Sequence, residues 1–217
     1  MANEKRLIDA NYLRNKLIPN CPIEEGGITV AGKKMKKFGI HSSMKASISM
    51  LPSNRKENSV IQDMSILENM FLSEHTLSGS IQHIFRKKEM GEYGSMKGLL
   101  NIKAASPADA ITSLSGGNQQ KVCVSRALTF QPELLLIGEP TRGIDVYSKE
   151  LILQWIQKMN EEYGTTVIVS SGELEELIRT CDRIAVMHQG HIYKIFDGDI
   201  SLEELTLALY GRDIHEN

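Results

Sequence analysis

Leu114-Ser-Gly-Gly-Asn-Gln-Gln-Lys121 is the stretch of this sequence that decides its fold. A Ser-Gly-Gly turn leading directly into a helix leaves backbone N–H groups unpaired. It also places the positive end of the helix dipole at Ser115, Gly116 and Gly117. Such a helix start binds anionic phosphate. Serine before a helix is also a common N-cap, so the turn alone fits both phosphate binding and helix capping. The neighbouring sequence has to distinguish the two.

Helices and strands alternate after this turn. A helix predicted over about 118–130 ends before Pro132, and the apolar run Leu134–Ile137 that follows is typical of a buried strand. The alternation continues with helices at about 149–163, 173–180 and 202–210, strands at 166–169 and 184–187, and a hairpin turned at Gln189–Gly190. Strands separated by such helices predict a parallel sheet that includes 166–169 and 184–187.

The first half of the chain is less regular. Residues 1–25 carry apolar side chains near helical spacing and contain two prolines, which predicts a short helix that ends at the prolines. Strands are predicted at 28–30, before a turn at Gly32, and at 48–51. Residues from about 65 to 100 favour helix, and the glycines among them indicate several short helices.

The composition excludes several classes of protein. The 217 residues are 41% hydrophobic and 24% charged, which suits one globular domain, and a net charge of −2 provides no basic field for nucleic acid. Three cysteines match neither a disulfide framework nor a zinc site, which indicates a reducing compartment. The basic run Lys33–Lys37 fits either a solvated strand edge or a patch that contacts phosphate or lipid. No apolar run approaches the about 20 residues of a membrane span, so any membrane role is expected to be peripheral.

Two motifs identify the family. The stretch Leu114–Lys121 is followed, after a helix and a strand, by Gly138-Glu-Pro-Thr-Arg-Gly-Ile-Asp145. In this order they resemble the signature motif, Walker B strand and D-loop of the ABC ATPases. The residues of these two motifs most resemble those in the C-terminal cassette of the tandem ATPases that drive pentose and hexose importers. The resemblance extends over nearly all of residues 26–212.

This resemblance implies an α/β fold, namely a truncated P-loop-NTPase-like ABC cassette with a parallel sheet, an inserted helical subdomain and peripheral β hairpins. The implied domains are a non-family leader at 1–25, a partial nucleotide-binding cassette at 26–212 with its helical subdomain at about 65–112, and a tail at 213–217.

The Walker A loop of the family is missing from the sequence. Its pattern G-x-x-x-x-G-K-[ST] needs glycines for close backbone approach, a lysine for the phosphates and a hydroxyl for Mg²⁺. Residues 1–25 contain no glycine, serine or threonine, and the single Gly-Lys pair, Gly32-Lys33, is followed by Lys34. We therefore expect that this chain cannot build its own P-loop.

Three further positions depart from the family pattern. Gly138 stands where the Walker B aspartate helps to hold Mg²⁺, Ser53 stands at the Q-loop glutamine or glutamate, and Gly172 stands at the switch histidine. Each change removes a ligand or a hydrogen-bonding side chain. We therefore expect no metal ligand from this chain and no self-sufficient ATP hydrolysis.

Other positions keep the family residue. Glu139 stands at the catalytic carboxylate, which orients the attacking water, and is the catalytic candidate; the alternative is inheritance without use. Asp145 fits either a D-loop role or the N-cap of the next helix. Gln119, Gln120 and Lys121 either belong to the site or are exposed helix formers.

In the family, two cassettes face each other, and each nucleotide lies between the Walker A loop of one and the signature loop of the other. The retained residues that would bind nucleotide in trans are Ser115, Gly116, Gly117, Asn118, Gln119 and Asp145. The resemblance thus implies a nucleotide-binding component of a carbohydrate-importing ABC transporter that contributes its signature loop in trans. ATP would be shared with a partner cassette that has an intact Walker A, and Mg²⁺ would be held only through that partner.

The implied further partners are membrane permease subunits, contacted through the helical region near 65–105. The implied location is cytoplasmic, peripheral at the inner face of the cell membrane, and no nucleic-acid partner is expected. One alternative is a non-catalytic remnant or interaction module. Another is an ABC ATPase that works on DNA, which the absence of heptad segments and of a basic surface disfavours.

Overall fold

Three parallel strands form the centre of the fold. They are β3 (Ile48–Leu51), β4 (Leu134–Gly138) and β5 (Thr166–Ser170), in the spatial order β3-β4-β5. Leu51 pairs with Ile137, which in turn pairs with Val169. The structure, a computed structural model, describes residues 27–36, 39–53, 59–78 and 86–212, so the helix predicted in 1–25 lies outside the described residues.

Apolar clusters cover both faces of the sheet. On one face Leu135 and Ile137 pack with residues of two helices, α5 (Gly116–Thr129) and α6 (Val146–Glu161). On the other face Leu136 packs with residues of β3, β5 and the first hairpin. Burial on both faces explains why β4 is a continuous apolar run rather than an alternating one.

The first hairpin comprises β1 (Thr29–Val30) and β2 (Lys33–Lys34), which pair antiparallel. Its turn residues Ala31 and Gly32 have φ of 47° and 74°. Positive φ at both central residues is the geometry of a tight hairpin turn, and glycine adopts it without strain. The turn predicted at Gly32 is confirmed.

Short helices fill the segment between β3 and the signature turn. After α1 (Ile40–Lys45), which precedes β3, they are α2 (Ile66–Met70), α3 (Leu72–Ser78) and α4 (Arg86–Leu99). Ser65 and Glu68 form a capping box that starts α2. Ser65 also bridges to Ala110, so the helical segment leaves and returns at one place. Several helices are present as predicted, but Gly91, Gly94 and Gly98 lie inside the 14-residue α4 and do not divide it.

The C-terminal region has its own apolar core. It contains α7 (Leu174–Thr180), β6 (Arg183–His188), β7 (His191–Asp197) and α8 (Leu202–Leu209). The hairpin predicted at Gln189–Gly190 is present, and both residues have positive φ. None of the described helices is long and apolar enough to cross a membrane.

The sheet prediction for 184–187 is wrong. In the described part of the chain, β6 pairs antiparallel with β7 and with no strand of the parallel sheet. The two-residue turn at Gln189–Gly190 brings β7 directly alongside β6, so these two strands pair as a hairpin. The segment that contains α7 separates β5 from β6 along the chain. Apolar periodicity locates a strand but does not identify its neighbour.

Candidate functional site

The carboxyl ends of the three parallel strands bring the altered positions together. Ser53 follows β3, Gly138 ends β4, and Gly172 follows β5. Residues after neighbouring parallel strands meet at one edge of the sheet, where ligands of α/β proteins bind. The positions that depart from the family pattern therefore share one site with Glu139.

Glu139 is held by its backbone and by its side chain. Its N–H donates to the carbonyl of Ser170 at 2.7 Å, and its Oε1 accepts a hydrogen bond from the N–H of Gly172 at 2.9 Å. Its φ is 48°, which is unusual for a residue other than glycine. The carboxylate thus lies across the end of β5, tied to the position where the family has its switch histidine.

Gly138 has no room for a metal-binding side chain. A Cβ atom placed on Gly138 would lie 3.0 Å from the backbone nitrogen and 3.2 Å from the Cβ of Ser53. The Ser53 backbone therefore fills the space that a carboxylate at 138 would cross. No group of three or more histidine, cysteine, aspartate or glutamate side chains within the described ranges could hold a metal ion. These residues do not fit Mg²⁺.

The signature turn presents unpaired backbone donors. Ser115 is the N-cap of α5 and is exposed, but its side chain caps no backbone N–H of the helix. Its Oγ instead accepts a hydrogen bond from Nδ2 of Asn118 at 3.0 Å. Asn118 in turn accepts from the N–H of Lys103 at 2.9 Å. The first N–H groups of a 14-residue helix remain directed outward, as an anion site requires.

Gln120 and Lys121 are buried, so the alternative that they are exposed helix formers is wrong for these two residues. Gln120 is 2% exposed and donates from Nε2 to the carbonyls of Glu139 and Pro140, each at 3.3 Å. Lys121 is 4% exposed and donates from Nζ to the carbonyl of Asn101 at 3.2 Å. They join the signature helix to the loop that carries Glu139. Polar residues near a helix start give no sequence signal for such burial.

Gln119 has a local role. Its Nε2 donates to the carbonyl of Leu114 at 3.0 Å and lies within the turn that it follows. Leu114 itself is buried, so the turn is fixed to the core at one end. The Ser115–Gly117 turn is therefore held from both sides.

Asp145 is the N-cap of α6. Its Oδ1 accepts from the N–H of Ser148 at 3.0 Å, and this bond, with the neighbouring ammonium of Lys121, lowers the pKa of Asp145 to about 2. The helix predicted over about 149–163 starts at Val146, directly after Asp145. The structural alternative for Asp145 is confirmed, and its role toward a nucleotide stays a prediction.

The signature turn and the D-loop are in close backbone contact. A Cβ atom placed on Gly117 would lie 3.0 Å from the carbonyl oxygen of Gly143. Lys121 adds a charged contact, because its Nζ lies 3.2 Å from Oδ2 of Asp145. The two motifs thus form one surface.

A second network, which the motifs do not indicate, supports this surface from behind. Thr141 is fully buried and donates from Oγ1 to Oε2 of Glu176 at 2.6 Å. Nζ of Lys149 lies 3.1 Å from Oε1 of Glu176 and 3.3 Å from Oε1 of Glu173. The hydrogen bond to Glu176 is the main reason that the pKa of Lys149 is raised. The network joins the Glu139–Asp145 loop to α7, which follows Gly172.

The sequence of this chain matches a known protein family. The family described as "ABC transporter" matches residues 11–142, more than half of the chain. The match begins inside the segment 1–25 that we expected to lie outside the family. A ribose import ATP-binding protein, RbsA, of Bacillus cereus is 36% identical over 190 residues, covering 87% of this chain and 38% of that protein. RbsA 2 of Agrobacterium fabrum, also a ribose import ATP-binding protein, is 34% identical over 201 residues, covering 91% and 40%.

The fold is shared with solved ATP-binding cassettes. A nucleotide-free cassette from an ABC transporter has a TM-score of 0.68 at 17% identity, covering 88% of this chain and 76% of that one. A dimeric, post-hydrolysis cassette, MJ0796 bound to ADP and Pi, has a TM-score of 0.67 at 22% identity, covering 80% and 74%. At these identities the likeness shows the fold alone. The chain spans about two-fifths of the length of the sequence relatives named above.

Proposed function

The chain belongs to the ABC transporter family, and from this premise we propose that it is a nucleotide-binding component of a carbohydrate importer that acts on ATP only with a partner cassette. The turn Ser115–Gly117 contacts the phosphates of an ATP molecule that the partner's Walker A loop holds. Relatives named as ribose import ATP-binding proteins support an importer of sugar. The contrast between a free signature turn and a closed metal position at Gly138 carries this proposal.

The exposed side of the signature turn supports contact with a partner. The N–H groups at Gly116 and Gly117 are not capped by the Ser115 side chain. Beside them, directly after Asp145, the apolar side chains of Val146 and Tyr147 are 84% and 66% exposed. Exposed apolar groups next to a polar ligand site are typical of a protein contact surface. Ser115, Gly116, Gly117, Asn118, Gln119 and Asp145 are the proposed nucleotide-facing residues.

The other side of the site supports dependence on that partner. Ser53 packs against Gly138 and leaves no space for a carboxylate, so Mg²⁺ is held by the partner's residues. Glu139 keeps its place as a vestigial catalytic candidate, with its carboxylate bound to the Gly172 N–H. A general base must reach the water that it activates. The described residues around Glu139 include no phosphate loop that would hold a nucleotide for that water to attack.

Permease subunits are the proposed second partner. An apolar groove lies between α1, β3 and α3, and only its α3 side, with Leu72, belongs to the predicted contact region near 65–105. The rest of its lining includes Ile40, Met44, Met50 and Phe130. Such a groove accommodates the apolar face of a partner helix. Docking there would place the chain at the cytoplasmic face of the membrane.

Two measurements test the proposal. Titration of the isolated chain with Mg-ATP should give no micromolar affinity. A cassette with an intact Walker A, taken from the same transporter, should gain ATPase activity when the chain is added, and Ser115→Asp should abolish the gain because the new charge repels phosphate. Ser95→Asp, on the exposed side of α4, is the matched control and should leave the gain unchanged.

Three results would contradict the proposed function. Micromolar Mg-ATP binding by the chain alone would contradict the shared site. A partner whose activity does not respond to the chain favours the alternative of a non-catalytic remnant or interaction module. Equal stimulation by the parent chain and by Ser115→Asp removes the signature turn from the mechanism.

A further inference from the structure

One carboxylate is buried in the helical segment, away from the candidate site. It belongs to Glu74, on α3, and both of its oxygens are buried. Neither oxygen has a hydrogen-bond partner of normal geometry among the described residues. Buried polar groups nearly always have such a partner, and a buried charge without one is costly. The ionised form of Glu74 is therefore unfavourable in the folded chain.

The acidic and histidine side chains near Glu74 do not neutralise its charge. Glu92, on α4, has the same charge, which opposes ionisation of Glu74. His75, the next residue on α3, is bonded to Glu89 of α4, with 2.8 Å between Nε2 and Oε1. The second oxygen of Glu89 is also buried without a hydrogen-bond partner among the described residues. Negative charge therefore exceeds positive charge between α3 and α4.

Arg126, on α5, carries the opposite charge, but its guanidinium is bonded to other groups. Nε donates to the carbonyl of Asn69 at 2.6 Å, and Nη1 donates to the carbonyl of Ser59 at 2.7 Å. Nη2 donates to Oδ1 of Asn69 at 3.2 Å. Burial is thus the largest influence on Glu74 and raises its pKa, although Thr129 and the backbone of Glu74 itself oppose the rise.

The charged groups of α1 and α2, which also pack against α3, are exposed or bonded elsewhere. His41 and Lys45 of α1 are exposed. The carboxylate of Glu68 in α2 accepts hydrogen bonds from the N–H and the hydroxyl of Ser65. The environment of Glu74 is therefore set by α3, α4 and α5.

We propose that Glu74 is a pH-sensitive switch that controls how tightly α3 is held against α4 and α5. At acid pH the neutral carboxyl group stays buried and α3 stays in place. At higher pH the carboxylate is better solvated outside, so α3 loosens. Leu72, Ser73 and Thr76 of α3 line the apolar groove, so the shape of the groove changes with the charge of Glu74.

The fold should lose stability as Glu74 ionises. Because the folded pKa is raised above the unfolded value, the loss begins above the about 4.3 of an unfolded glutamate and grows as the pH rises through the folded pKa. Glu74→Gln keeps the shape of the side chain and removes its charge. Its Tm minus that of the parent chain should be larger at pH 8 than at pH 4 by at least about 3 °C.

The matched control is Glu175→Gln, the same change at an exposed position of α7. Its Tm difference from the parent chain should stay within about 1 °C at both pH values. Glu74→Leu, which is also uncharged, takes the place of the glutamine variant if that variant does not fold. Equal Tm differences at pH 4 and pH 8 for the variant at 74 would overturn the proposal.

Amide hydrogen exchange shows whether the effect is local to α3. Exchange rates, corrected for the intrinsic effect of pH, are compared between α3 and α6 in the same sample. In the parent chain the protection of α3 relative to α6 should fall at least about tenfold from pH 5 to pH 8, and in Glu74→Gln it should stay constant. Loss of protection in α3 and α6 together would overturn the proposal. A fall in α3 that survives Glu74→Gln would also overturn it, because the His75–Glu89 pair would then be the titrating group.

Discussion

Nζ of Lys121 lies 3.2 Å from Oδ2 of Asp145, and the lysine side chain is 5% exposed whereas the aspartate is 59% exposed. A buried ammonium is thus paired at the surface end of its side chain. The pair joins the start of α5 to the cap of α6, so a change at either residue affects both helices. Together with the backbone contact between Gly117 and Gly143, this ion pair connects the signature turn to the D-loop.

Asp145→Ala should lower the free energy of unfolding by about 1–2 kcal/mol, because it removes an N-cap and leaves the buried Lys121 ammonium one partner short. Asp145→Asn keeps a capping oxygen and should cost less. Urea denaturation at pH 7 measures both. Asp199→Ala, at an exposed aspartate outside this contact, is the control and should change stability by less than about 0.5 kcal/mol. Equal losses for the alanine and asparagine variants would show that the cap contributes nothing.

Asp145 should also make stability depend on acid pH. Its folded pKa is about 2, below the about 3.9 of an unfolded aspartate. Its contribution is therefore complete above about pH 4 and is lost as the pH falls toward 2. The stability difference between the parent chain and Asp145→Asn should shrink over this range in urea titrations at pH 5, 4, 3 and 2. A difference that stays constant from pH 5 to pH 2 contradicts the low pKa.

Gly117→Ala should destabilise the chain by about 1 kcal/mol although alanine favours helices. The added Cβ would press on the carbonyl oxygen of Gly143 at 3.0 Å, so the turn or the D-loop must move. Gly94→Ala is the matched control, since a Cβ at Gly94 in α4 meets nothing within 4 Å. That change should stabilise by about 0.5–1 kcal/mol through helix propensity. Thermal unfolding that ranks the two variants the other way would refute the close contact.

Restoring the two lost side chains should have unequal effects. Gly138→Asp should cost about 1–3 kcal/mol, because the new Cβ meets the Ser53 backbone. Gly172→His should change stability by less than about 0.5 kcal/mol, since its Cβ would lie 3.7 Å from Oε1 of Glu139, an ordinary contact at an exposed position. Urea denaturation of both variants tests this, and equal tolerance would mean that Ser53 moves aside freely.

The buried strands were predictable because each is a continuous apolar run in the sequence. The run Ile48–Leu51, closed by Pro52, is a strand with the predicted bounds, and Leu134–Ile137 extends by a single residue. Continuous apolar runs bounded by breakers carry this information locally. The start of α6 at Val146, rather than near 149, depends on the cap at Asp145. The partner of β6 depends on contacts far apart in the sequence, which periodicity does not contain.

Some residues of the candidate site were also predictable from the sequence, and others were not. Motif spacing places Ser115 correctly at a helix start and Glu139 directly after a strand, and for Asp145 it left the helix cap as one of two alternatives. The burial of Gln120 and Lys121 was not predictable, because it is created by carbonyl groups about 20 residues away that fold over them. A polar side chain at a helix start looks alike in sequence whether water or a carbonyl satisfies it.

The backbone conformation of Glu139 bears on which residues can replace it. At φ 48° a side chain is strained, on the order of 1 kcal/mol, whereas glycine adopts the same conformation freely. Glu139→Gly would relieve this strain, but it would also remove the carboxylate that accepts the hydrogen bond from the N–H of Gly172. The glutamate at 139 therefore costs the fold conformational energy, and the hydrogen bond across the end of β5 is the contact that offsets part of that cost.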